Sequence, residues 1–428
     1  MQTYIKPQLS DWSTLTARPT KEAQDLQEIV LDIFGKIQTE KDQALIDFTE
    51  KFDQVKLTSL EVSTQEIEEA KTLISEELKG AIQLAASNIE KFHTEQREEV
   101  KVIETTKGVN CWRESRGIEN VGIYIPGGTA PLFSTTLMLG IPAKLAGCQN
   151  IILCTPPNKE GKIHPAILYT ANLIGIEKIY KVGGIQAIGT LTFGTETIQK
   201  VDKIFGPGNQ YVTAAKQVAQ NFGVAIDIPA GPSEVLVIAD KTSVPKYVAA
   251  DLLSQAEHGI DSQVILLTTN EQKLNETIIE INAQLEVLPR KELAAKALEN
   301  SRGIVLNSIE ECVDFSNIYA PEHLIFACEM AENYIDKIIN VGSVFLGNYS
   351  CESAGDYASG TNHTLPTNGY AKNYSGVSFD SFIKKITFQK LTAEGIQNIG
   401  PAIELMAEAE ELFAHKNAVT LRLNDLKS

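Results

Sequence analysis

The chain has 428 residues, of which 43% are hydrophobic and 22% are charged, and its formal net charge is −17 at pH 7. This length exceeds that of one ordinary core, so we expect two main domains with extensions. The composition excludes an intrinsically disordered chain. The excess of acidic residues argues against a surface that binds nucleic acids or anionic membranes, because such a surface would need a cluster of Lys and Arg. An anionic cofactor stays compatible, since a few backbone N–H groups can hold a phosphate.

The termini and the cysteines indicate the cellular compartment. The N-terminal residues lack the apolar run of a secretory signal. No segment approaches the roughly 20 consecutive apolar residues that span a bilayer. The six cysteines are scattered, without CxxC or CxH spacing, which predicts reduced thiols. We therefore expect a cytoplasmic protein.

Residues 20–100 are rich in charge and have the pattern of scaffold helices. Ser63 and Glu66 have the spacing of a capping box, which marks the start of a helix. After it, apolar residues recur at helical spacing and would face a core; they are Ile67, Ala70 and Ile74.

The sequence pattern changes between about residues 120 and 240, where short β-rich runs lead into glycine loops and then into helical patterns. The β-rich runs are 121–125, 178–182 and 203–205, and the loops that follow them are 126–129, 183–186 and 206–209. Strand, tight turn and helix in alternation predict βαβ units and a mainly parallel sheet.

A second β/α series follows, with strand patterns at 235–238, 263–267 and 303–306 and a helix at about 245–257. From about 380 the pattern is mostly helical and ends in an apolar, strand-like run at 418–423. The expected fold class is α/β, with two Rossmann-like domains that have mainly parallel sheets, plus helical N-terminal and C-terminal extensions.

The chain has six histidines. His93 lies in the charged helical region and His164 precedes a proline, and for both we expect a surface position. The other four stand in polar segments that contain glycine, serine or acidic residues; they are His258, His323, His363 and His415.

Gln255 and His258 have i, i+3 spacing near the end of a helix that Gly259 would terminate, so their side chains could converge on one atom. Asp356 lies in a Gly/Ser-rich segment, where a loop could present its carboxylate, and His415 follows an apolar-periodic helix. These four residues would form a metal site of nitrogen and oxygen ligands without thiolate, which is typical of catalytic zinc. The alternative for His258 is a helix C-terminal histidine favoured by the helix dipole.

Glu322 and His323 form a second candidate site. Adjacent residues on a regular backbone point in different directions, so both could serve one substrate only at a bend, which Ala320 and Pro321 favour. A histidine with a pKa of about 6.5 suits proton abstraction from an alcohol, and a neighbouring carboxylate suits the activation of water. The alternative is a solvated pair in a loop.

None of the glycine loops matches G-x-G-x-x-G, so ordinary turns between strand and helix are one interpretation. However, loops at the carboxyl ends of parallel strands present backbone N–H groups at the crevice where open α/β sheets bind ligands. Tyr124, Gln186 and Asn209 flank three such loops and could contact the ribose or base of a nucleotide.

Taken together, these segments resemble the histidinol dehydrogenase family over nearly the whole chain. The resemblance is carried by ordered blocks: 124–128 (YIPGG), 205–209 (FGPGN), 229–235 (PAGPSEV), 252–258 (LLSQAEH), 319–323 (YAPEH), 353–363 (SAGDYASGTNH) and 414–422 (AHKNAVTLR). Cys351 and the stretch 370–375 match the family pattern less closely, which affects local loop detail only.

The resemblance implies a role for each matching residue. The ligands of one zinc ion per subunit would be Gln255, His258, Asp356 and His415, which would also contact the substrate. Glu322 and His323 would be the acid–base pair. Further substrate contacts would come from Ser233, His363 and Glu410, and the NAD contacts from Tyr124, Gln186 and Asn209. The family forms homodimers, so Glu410 and His415 would complete the site of the partner subunit.

The resemblance also implies the reaction, which is the oxidation of L-histidinol through L-histidinaldehyde to L-histidine with two NAD, the last steps of histidine biosynthesis. The domains we expect are an N-terminal arm (1–24), a discontinuous main α/β domain (25–122 and 233–378), a nucleotide-binding-like domain (123–232) and a C-terminal tail involved in dimerisation (379–428). One alternative is a zinc hydrolase, which leaves the glycine loops unexplained. Another is a non-catalytic protein that binds zinc or imidazole compounds, which gives Glu322 and His323 no role.

Overall fold

Three β-sheets and the helices that cover them make up the part of the chain described by the structure, a computed structural model: residues 1–18, 24–127, 131–229 and 231–427. The strands are β1 (Gln2–Ile5), β2 (Ile103–Thr106), β3 (Val109–Gly117), β4 (Asn120–Tyr124), β5 (Asn150–Thr155), β6 (Lys178–Lys181), β7 (Lys203–Phe205), β8 (Ala225–Ile226), β9 (Glu234–Ala239), β10 (Gln263–Thr268), β11 (Arg302–Val305), β12 (His323–Ala327), β13 (Ser343–Leu346) and β14 (Ile383–Leu391). The helices are α1 (Trp12–Leu15), α2 (Gln24–Glu40), α3 (Asp42–Asp53), α4 (Thr64–Leu73), α5 (Glu76–Thr94), α6 (Phe133–Leu145), α7 (Pro165–Leu173), α8 (Gly184–Phe193), α9 (Gln210–Ala219), α10 (Pro245–Ala256), α11 (Glu271–Leu285), α12 (Lys291–Glu299), α13 (Ile309–Tyr319), α14 (Glu352–Tyr357), α15 (Ala393–Ala409) and α16 (Phe413–Asp425).

The first sheet has the order β6-β5-β4-β7-β8, and all its strand pairs are parallel. The chain builds outward from β4 through β5 to β6 and then crosses to the other side for β7 and β8. The strand order therefore reverses between β4 and β7, which is the point where open α/β sheets form a ligand crevice. The predicted strand–loop–helix units are confirmed here.

The second sheet has the order β1-β11-β10-β9-β12-β13, again with parallel pairs throughout. Its central strands β9 and β10 are buried along their whole length. This burial is what a parallel sheet with helices on both faces requires. The predicted α/β fold class with mainly parallel sheets is confirmed, and the N-terminal arm also adds the edge strand β1 to this sheet.

The helical interpretation of residues 20–100 is confirmed over the described part, which forms α2 to α5. The capping box at the start of α4 is present, because Ser63 Oγ accepts from the backbone N–H of Glu66 and the Glu66 carboxylate accepts from the N–H of Ser63. Ile67 and Ala70 are buried, as their spacing predicts.

The third sheet is antiparallel, with the order β14-β3-β2, and the C-terminal helices α15 and α16 follow it. Strand β14 interrupts the region expected to be mostly helical. The strand-like interpretation of 418–423 is wrong, because this run lies inside α16. Leu423 is buried against Gly400 of α15, where a larger residue would collide with the leucine side chain. Packing between the two helices therefore decides the conformation of this run.

The prediction of a surface position is wrong for His93 and right for His164. His93 is fully buried, because it continues the buried stripe of Ile82 and Ile89 along α5. Its Nδ1 lies 2.9 Å from the carbonyl oxygen of Ile89. His164 is exposed at the start of α7, where its Nδ1 accepts from the backbone N–H of Ala166.

All six cysteines are free thiols, as their spacing predicts. Among the described residues, no helix combines the length and the apolar character needed to cross a bilayer. The division into domains stays a prediction.

Candidate active site and metal centre

The candidate acid–base pair lies at the amino end of β12 in the second sheet, next to the amino end of the neighbouring strand β9. Helix α13 ends at Ala320, whose φ of +54° lies in the left-handed region, and the chain then turns through Pro321 into β12. Glu322 precedes that strand and His323 is its first residue. The turn brings both side chains into the buried region beside Glu234, the first residue of β9.

Hydrogen bonds fix both members of the pair. Oε2 of Glu322 accepts from the backbone N–H of Glu234 at 2.9 Å and from Nε2 of Gln255 at 3.2 Å. Nδ1 of His323 lies 3.2 Å from the carbonyl oxygen of Glu234. When Nδ1 donates to this carbonyl, Nε2 is the nitrogen that is left to accept a proton.

Nε2 of His323 has no hydrogen-bond partner among the described residues and lies 3.7 Å from Oδ1 of Asp356. Burial alone would lower the pKa of His323, but the carboxylates around it, Glu352 first, raise it to about 10. Burial raises the pKa of Glu322 to about 7. The site therefore gathers more negative charge than His323 alone can neutralise, and it favours a further cation.

Three side chains of the described residues form a cluster that could hold a metal ion. The ligand atoms of His258, Glu352 and Asp356 all lie within 4.8 Å of one another. Within the described parts of the chain, both carboxylate oxygens of Glu352 are buried without a hydrogen-bond partner, and so is Oε1 of Gln255, one turn before His258. Unpartnered buried oxygens beside an imidazole fit a divalent cation of the zinc type.

The segment that carries Asp356 is a helix, which corrects the loop expected from its Gly and Ser content. Residues Glu352–Tyr357 form α14, so Glu352 and Asp356 stand at i and i+4 on one helix face. Sequence reasoning missed Glu352 as a site residue. The i, i+4 spacing of the two carboxylates was the signal that could have identified it.

Ser233 and His363 lie at the edge of the cluster. Oγ of Ser233 is 3.5 Å from Nδ1 of His258. Nδ1 of His363 lies 2.9 Å from the backbone oxygen of Asp356, and its Nε2 lies 3.0 Å from Oγ1 of Thr135. Thr135 belongs to α6, which follows the first strand of the first sheet. The His363 contact therefore brings the carboxyl edge of the first sheet next to the amino edge of the second.

Glu410 and His415 lie elsewhere in the chain. Glu410 caps α15, His415 lies in the first turn of α16, and both are exposed. The two helices pack against each other, and α15 also contacts β14 and β2. The metal-ligand cluster found within the described residues does not include His415.

The candidate nucleotide contacts meet at the carboxyl edge of the first sheet. Tyr124 ends β4 and its hydroxyl accepts from the backbone N–H of Gly184, at the start of the helix that contains the buried Gln186. Asn209 follows β7 and is exposed, and its Oδ1 caps α9 by accepting from two backbone N–H groups. Part of the predicted loop 126–129 lies outside the described residues.

A buried ion pair holds the backbone of the loop 206–209. Lys216 and Asp227 are paired with almost no exposure. Lys216 Nζ donates to the carbonyl oxygen of Gly206 at 2.8 Å, and the N–H of Gly206 donates to Asp227 at 2.8 Å. Gly206 has φ +136°, and a Cβ there would overlap the carbonyl oxygen of Tyr124. The loop thus needs glycine, and both of its backbone polar groups are held.

Two parallel α/β sheets and a buried acid–base pair beside a candidate metal cluster define an α/β protein with the site of an enzyme. The model of the histidinol dehydrogenase family matches residues 16–423. The chain is 58% identical over 421 residues to a histidinol dehydrogenase of Bacteroides thetaiotaomicron, with 98% of each chain covered. It is 52% identical over 432 residues to one of Mannheimia succiniciproducens, with 100% of each covered.

A crystal structure of histidinol dehydrogenase from Elizabethkingia anophelis is similar to the whole fold. The TM-score is 0.99 at 72% sequence identity, and the match covers 100% of this chain and 99% of that one. The chain belongs to the histidinol dehydrogenase family, a family of oxidoreductases. The resemblance stated from the sequence motifs is thus confirmed.

Proposed function

We propose that the protein oxidises L-histidinol to L-histidinaldehyde and then to L-histidine, with zinc in the site and two NAD as successive hydride acceptors, as the last steps of histidine biosynthesis in the cytoplasm. The observation that carries the proposal is the position of His323. Its imidazole ring lies between two carboxylates, with Nδ1 3.7 Å from Oε2 of Glu322, a second acid–base group. On the other side of the ring, Nε2, which has no hydrogen-bond partner among the described residues, lies 3.7 Å from Oδ1 of Asp356 in the metal-ligand cluster.

The residues that would hold zinc are Gln255, His258, Asp356 and, from a second copy of the chain, His415. The unpartnered Oε1 of Gln255 and the approach of His258 to Asp356 support this set. Glu352 adds a buried carboxylate at the same place. When bound, zinc would supply open coordination positions for the imidazole and amine of the substrate, and its charge would neutralise the carboxylates that hold the pKa of His323 high.

The carboxyl edge of the first sheet would hold the nucleotide through Tyr124, Gln186 and Asn209. Three features support this assignment: the strand order reverses there, glycine loops leave the strands, and backbone N–H groups begin α8 and α9. When bound, NAD supplies the hydride acceptor for both oxidations. The contact between His363 and Thr135, which joins this edge to the segment of Asp356, supports the proposal that the nucleotide lies near the acid–base pair.

In the first oxidation, Nε2 of His323 takes the hydroxyl proton of the alcohol, while the carbon that bears this hydroxyl loses one hydrogen as hydride to the acceptor. The product is the aldehyde. The hydrogen bond from Nδ1 to the carbonyl oxygen of Glu234 orients the imidazole for this transfer and stabilises its protonated form. Ser233 and His363 border the cluster and would bind polar groups of the substrate.

In the second oxidation, Glu322 takes a proton from water as the water oxygen attacks the aldehyde carbon. The adduct is a gem-diol in its anionic form, because Glu322 holds the proton, and it loses its remaining C–H hydrogen as hydride to become the carboxylic acid. A pKa of about 7 for Glu322 suits a group that accepts and releases a proton near neutrality. Two hydrogen bonds to Oε2 hold that oxygen, so the other carboxylate oxygen is the candidate base.

The C-terminal helices would join two copies of the chain in a homodimer. Four large apolar side chains of α15, α16 and their connection are exposed; they are Leu405, Met406, Leu412 and Phe413. Such a patch beside Glu410 and His415 suits an interface. Burying it against a second subunit would bring these two residues to the partner's site, where Glu410 would bind the substrate amine.

The decisive experiment mixes the protein with NAD and L-histidinol and follows the absorbance of NADH. We expect two NADH for each histidinol consumed and L-histidine as the product. One NADH with the aldehyde as end product would contradict the second oxidation. Hydrolysis of amide or ester substrates without NADH would favour a zinc hydrolase, and binding of histidinol without turnover would favour a binding protein.

Subunit exchange tests the shared site. Asp356→Ala and His415→Ala variants should each be inactive alone, since each lacks one ligand. If the ligands come from different subunits, mixed dimers contain one site with both changes and one intact site. Refolding the two variants together should therefore restore about a quarter of the wild-type activity, half of the dimers being mixed. No restored activity would place both ligands in one chain.

A further inference from the structure

Arg18, at the end of the N-terminal arm, makes a two-pronged ion pair with Glu234 behind the acid–base pair. Nε and Nη2 of Arg18 donate to the two carboxylate oxygens of Glu234 at 2.5 and 2.9 Å. The side chain of Glu234 is 3% exposed and that of Arg18 is 15% exposed. A fork-to-fork contact of this kind fixes both groups in orientation as well as in charge.

The same guanidinium also holds the turn that leads into the site. Nη2 donates to the carbonyl oxygens of Tyr319 and Ala320, at 2.8 and 3.3 Å, and the guanidinium carbon lies 3.9 Å from the centre of the Tyr319 ring. Ala320 has the left-handed backbone that sends the chain from α13 into β12. Arg18 thus contacts the backbone two residues before Glu322.

A second path from Arg18 to the site runs through Glu234. The backbone N–H of this residue donates to Oε2 of Glu322, and its carbonyl oxygen lies 3.2 Å from Nδ1 of His323. Oε1 of Glu234 also accepts from the backbone N–H of Asn368. The single side chain of Arg18 therefore fixes two backbone segments that position the acid–base pair: the Tyr319–Ala320 turn and the start of β9 at Glu234.

We propose that Arg18 is a positioning residue of the reaction, which sets the orientation of Glu322 and His323 through Glu234 and the Tyr319–Ala320 turn. This inference rests on the proposed function. Proton transfer depends on placement, and a shift of about 1 Å can reduce a rate by about 10²-fold. The effect should be larger for aldehyde oxidation, because Glu322 has to reach a water molecule. Within the described residues Arg18 pairs with Glu234, Tyr319 and Ala320, which are not themselves among the proposed zinc and NAD ligands.

Arg302 offers a matched control, since it binds the same arm without touching Glu234. Its Nη1 donates to the carbonyl oxygens of Leu15 and Ala17, at 2.6 and 2.9 Å. Arg18→Ala and Arg302→Ala therefore both remove hydrogen bonds that involve the arm, and only Arg18→Ala removes the two-pronged ion pair with Glu234. The test measures kcat and KM separately for histidinol and for histidinaldehyde, together with bound zinc.

For Arg18→Ala we expect kcat on the aldehyde to fall by about 10²-fold and kcat on the alcohol to fall less, with both KM values and zinc content close to wild type. Methylguanidinium, which can occupy the emptied position, should restore kcat by about tenfold, and ethylammonium should not. Arg302→Ala should keep both kcat values and show no rescue. Equal effects of the two variants, or a change confined to KM, would overturn the proposal.

If Arg18→Ala does not fold, Arg18→Lys decides the question, because lysine keeps the charge without the fork. We expect a lower kcat on the aldehyde with an unchanged KM, and a wild-type kcat would reject the proposal. Wild-type protein that fails to reduce NAD with histidinol would instead refute the proposed function. The two failures are thus distinguishable.

Discussion

Nε2 of His323 and Oδ1 of Asp356 lie 3.7 Å apart, across 33 positions of sequence, where a buried histidine meets the candidate metal cluster. The geometry links the two halves of the proposed chemistry. Asp356 would bind the ion that orients the substrate, and His323 would take the proton of the same substrate. The two roles should be separable by mutation, because each side chain has its own supporting contacts.

Replacing His323 by alanine should leave zinc bound but reduce both oxidations by roughly 10²–10⁴-fold, the usual cost of a lost general base. The measurement is kcat for each substrate together with zinc content by elemental analysis. Full activity would remove His323 from the mechanism. Loss of zinc would instead assign it to the metal site.

Changing Glu322 to glutamine should slow aldehyde oxidation more than alcohol oxidation, because only the second step needs a base for water. Histidinaldehyde should then accumulate, and trapping it with a carbonyl reagent measures the effect. The amide keeps the size of the side chain and can still accept from the backbone N–H of Glu234, so folding should be preserved. Equal losses in both steps would contradict the water-activating role.

The metal cluster predicts that Asp356→Ala and Glu352→Gln each lower the zinc bound per subunit after dialysis. The cause differs between them, since Asp356 is a proposed ligand and Glu352 contributes a buried charge at the same place. Glu329→Gln is the control, because this exposed carboxylate lies just beyond the opposite end of β12. Stoichiometric zinc in Asp356→Ala would reject it as a ligand.

Much of this site could be read from sequence, because the chemistry-bearing residues sit in short ordered motifs. Gln255 and His258 are one helical turn apart, and Glu322 and His323 stand at a predicted bend, which the structure contains. Glu352 was missed, although it stands four residues before Asp356, because the spacing carries this signal only if the segment is a helix. Its six-residue helix contains glycine and serine, so its local pattern resembles a loop, and packing determines the helix.

Two further features depend on tertiary contacts that no local pattern records. Arg18 and Glu234 are 216 positions apart, and the arm reaches the sheet through the pairing of β1 with β11 and the contacts of Arg302 with the arm. The proposed acid–base pair lies at the amino edge of the second sheet, whereas α/β sheets usually bind ligands at the carboxyl edge. The loops proposed to bind the nucleotide follow that rule, and the second sheet faces them with its opposite edge.

The loop at Gly206 should depend on the buried pair beneath it. Lys216→Met removes the cation and leaves Asp227 buried without its partner, which typically costs about 3–5 kcal/mol of unfolding free energy. It also frees the carbonyl oxygen of Gly206, so KM for NAD should rise more than KM for histidinol. Denaturant unfolding and steady-state kinetics measure the two effects. An unchanged KM for NAD would separate this loop from nucleotide binding.

His93 is fully buried, and its Nε2 lies 3.5 Å from Nδ2 of Asn362, the residue before His363. Burial lowers the pKa of His93, and the hydrogen bond from Nδ1 to the carbonyl oxygen of Ile89, which raises this pKa, offsets the effect only in part. The unfolded chain, with an ordinary pKa of about 6.5, therefore binds a proton that the folded protein does not take up. Stability is lost as the pH falls below about 6.5, and the loss ends once the pH is below the pKa of the folded state.

His93→Gln should remove this contribution. The variant should be less stable than wild type at pH 8, by about 1–3 kcal/mol for a disturbed buried hydrogen bond, and the difference should shrink as the pH falls to 5. His164→Gln is the comparison: burial also lowers the pKa of His164, but this residue is exposed at the start of α7, so its change should alter the pH dependence less than the change of His93 does. Denaturant unfolding at several pH values gives the comparison. A difference between His93→Gln and wild type that stays constant from pH 8 to 5 would mean that His93 is protonated to the same extent in the folded and unfolded chain.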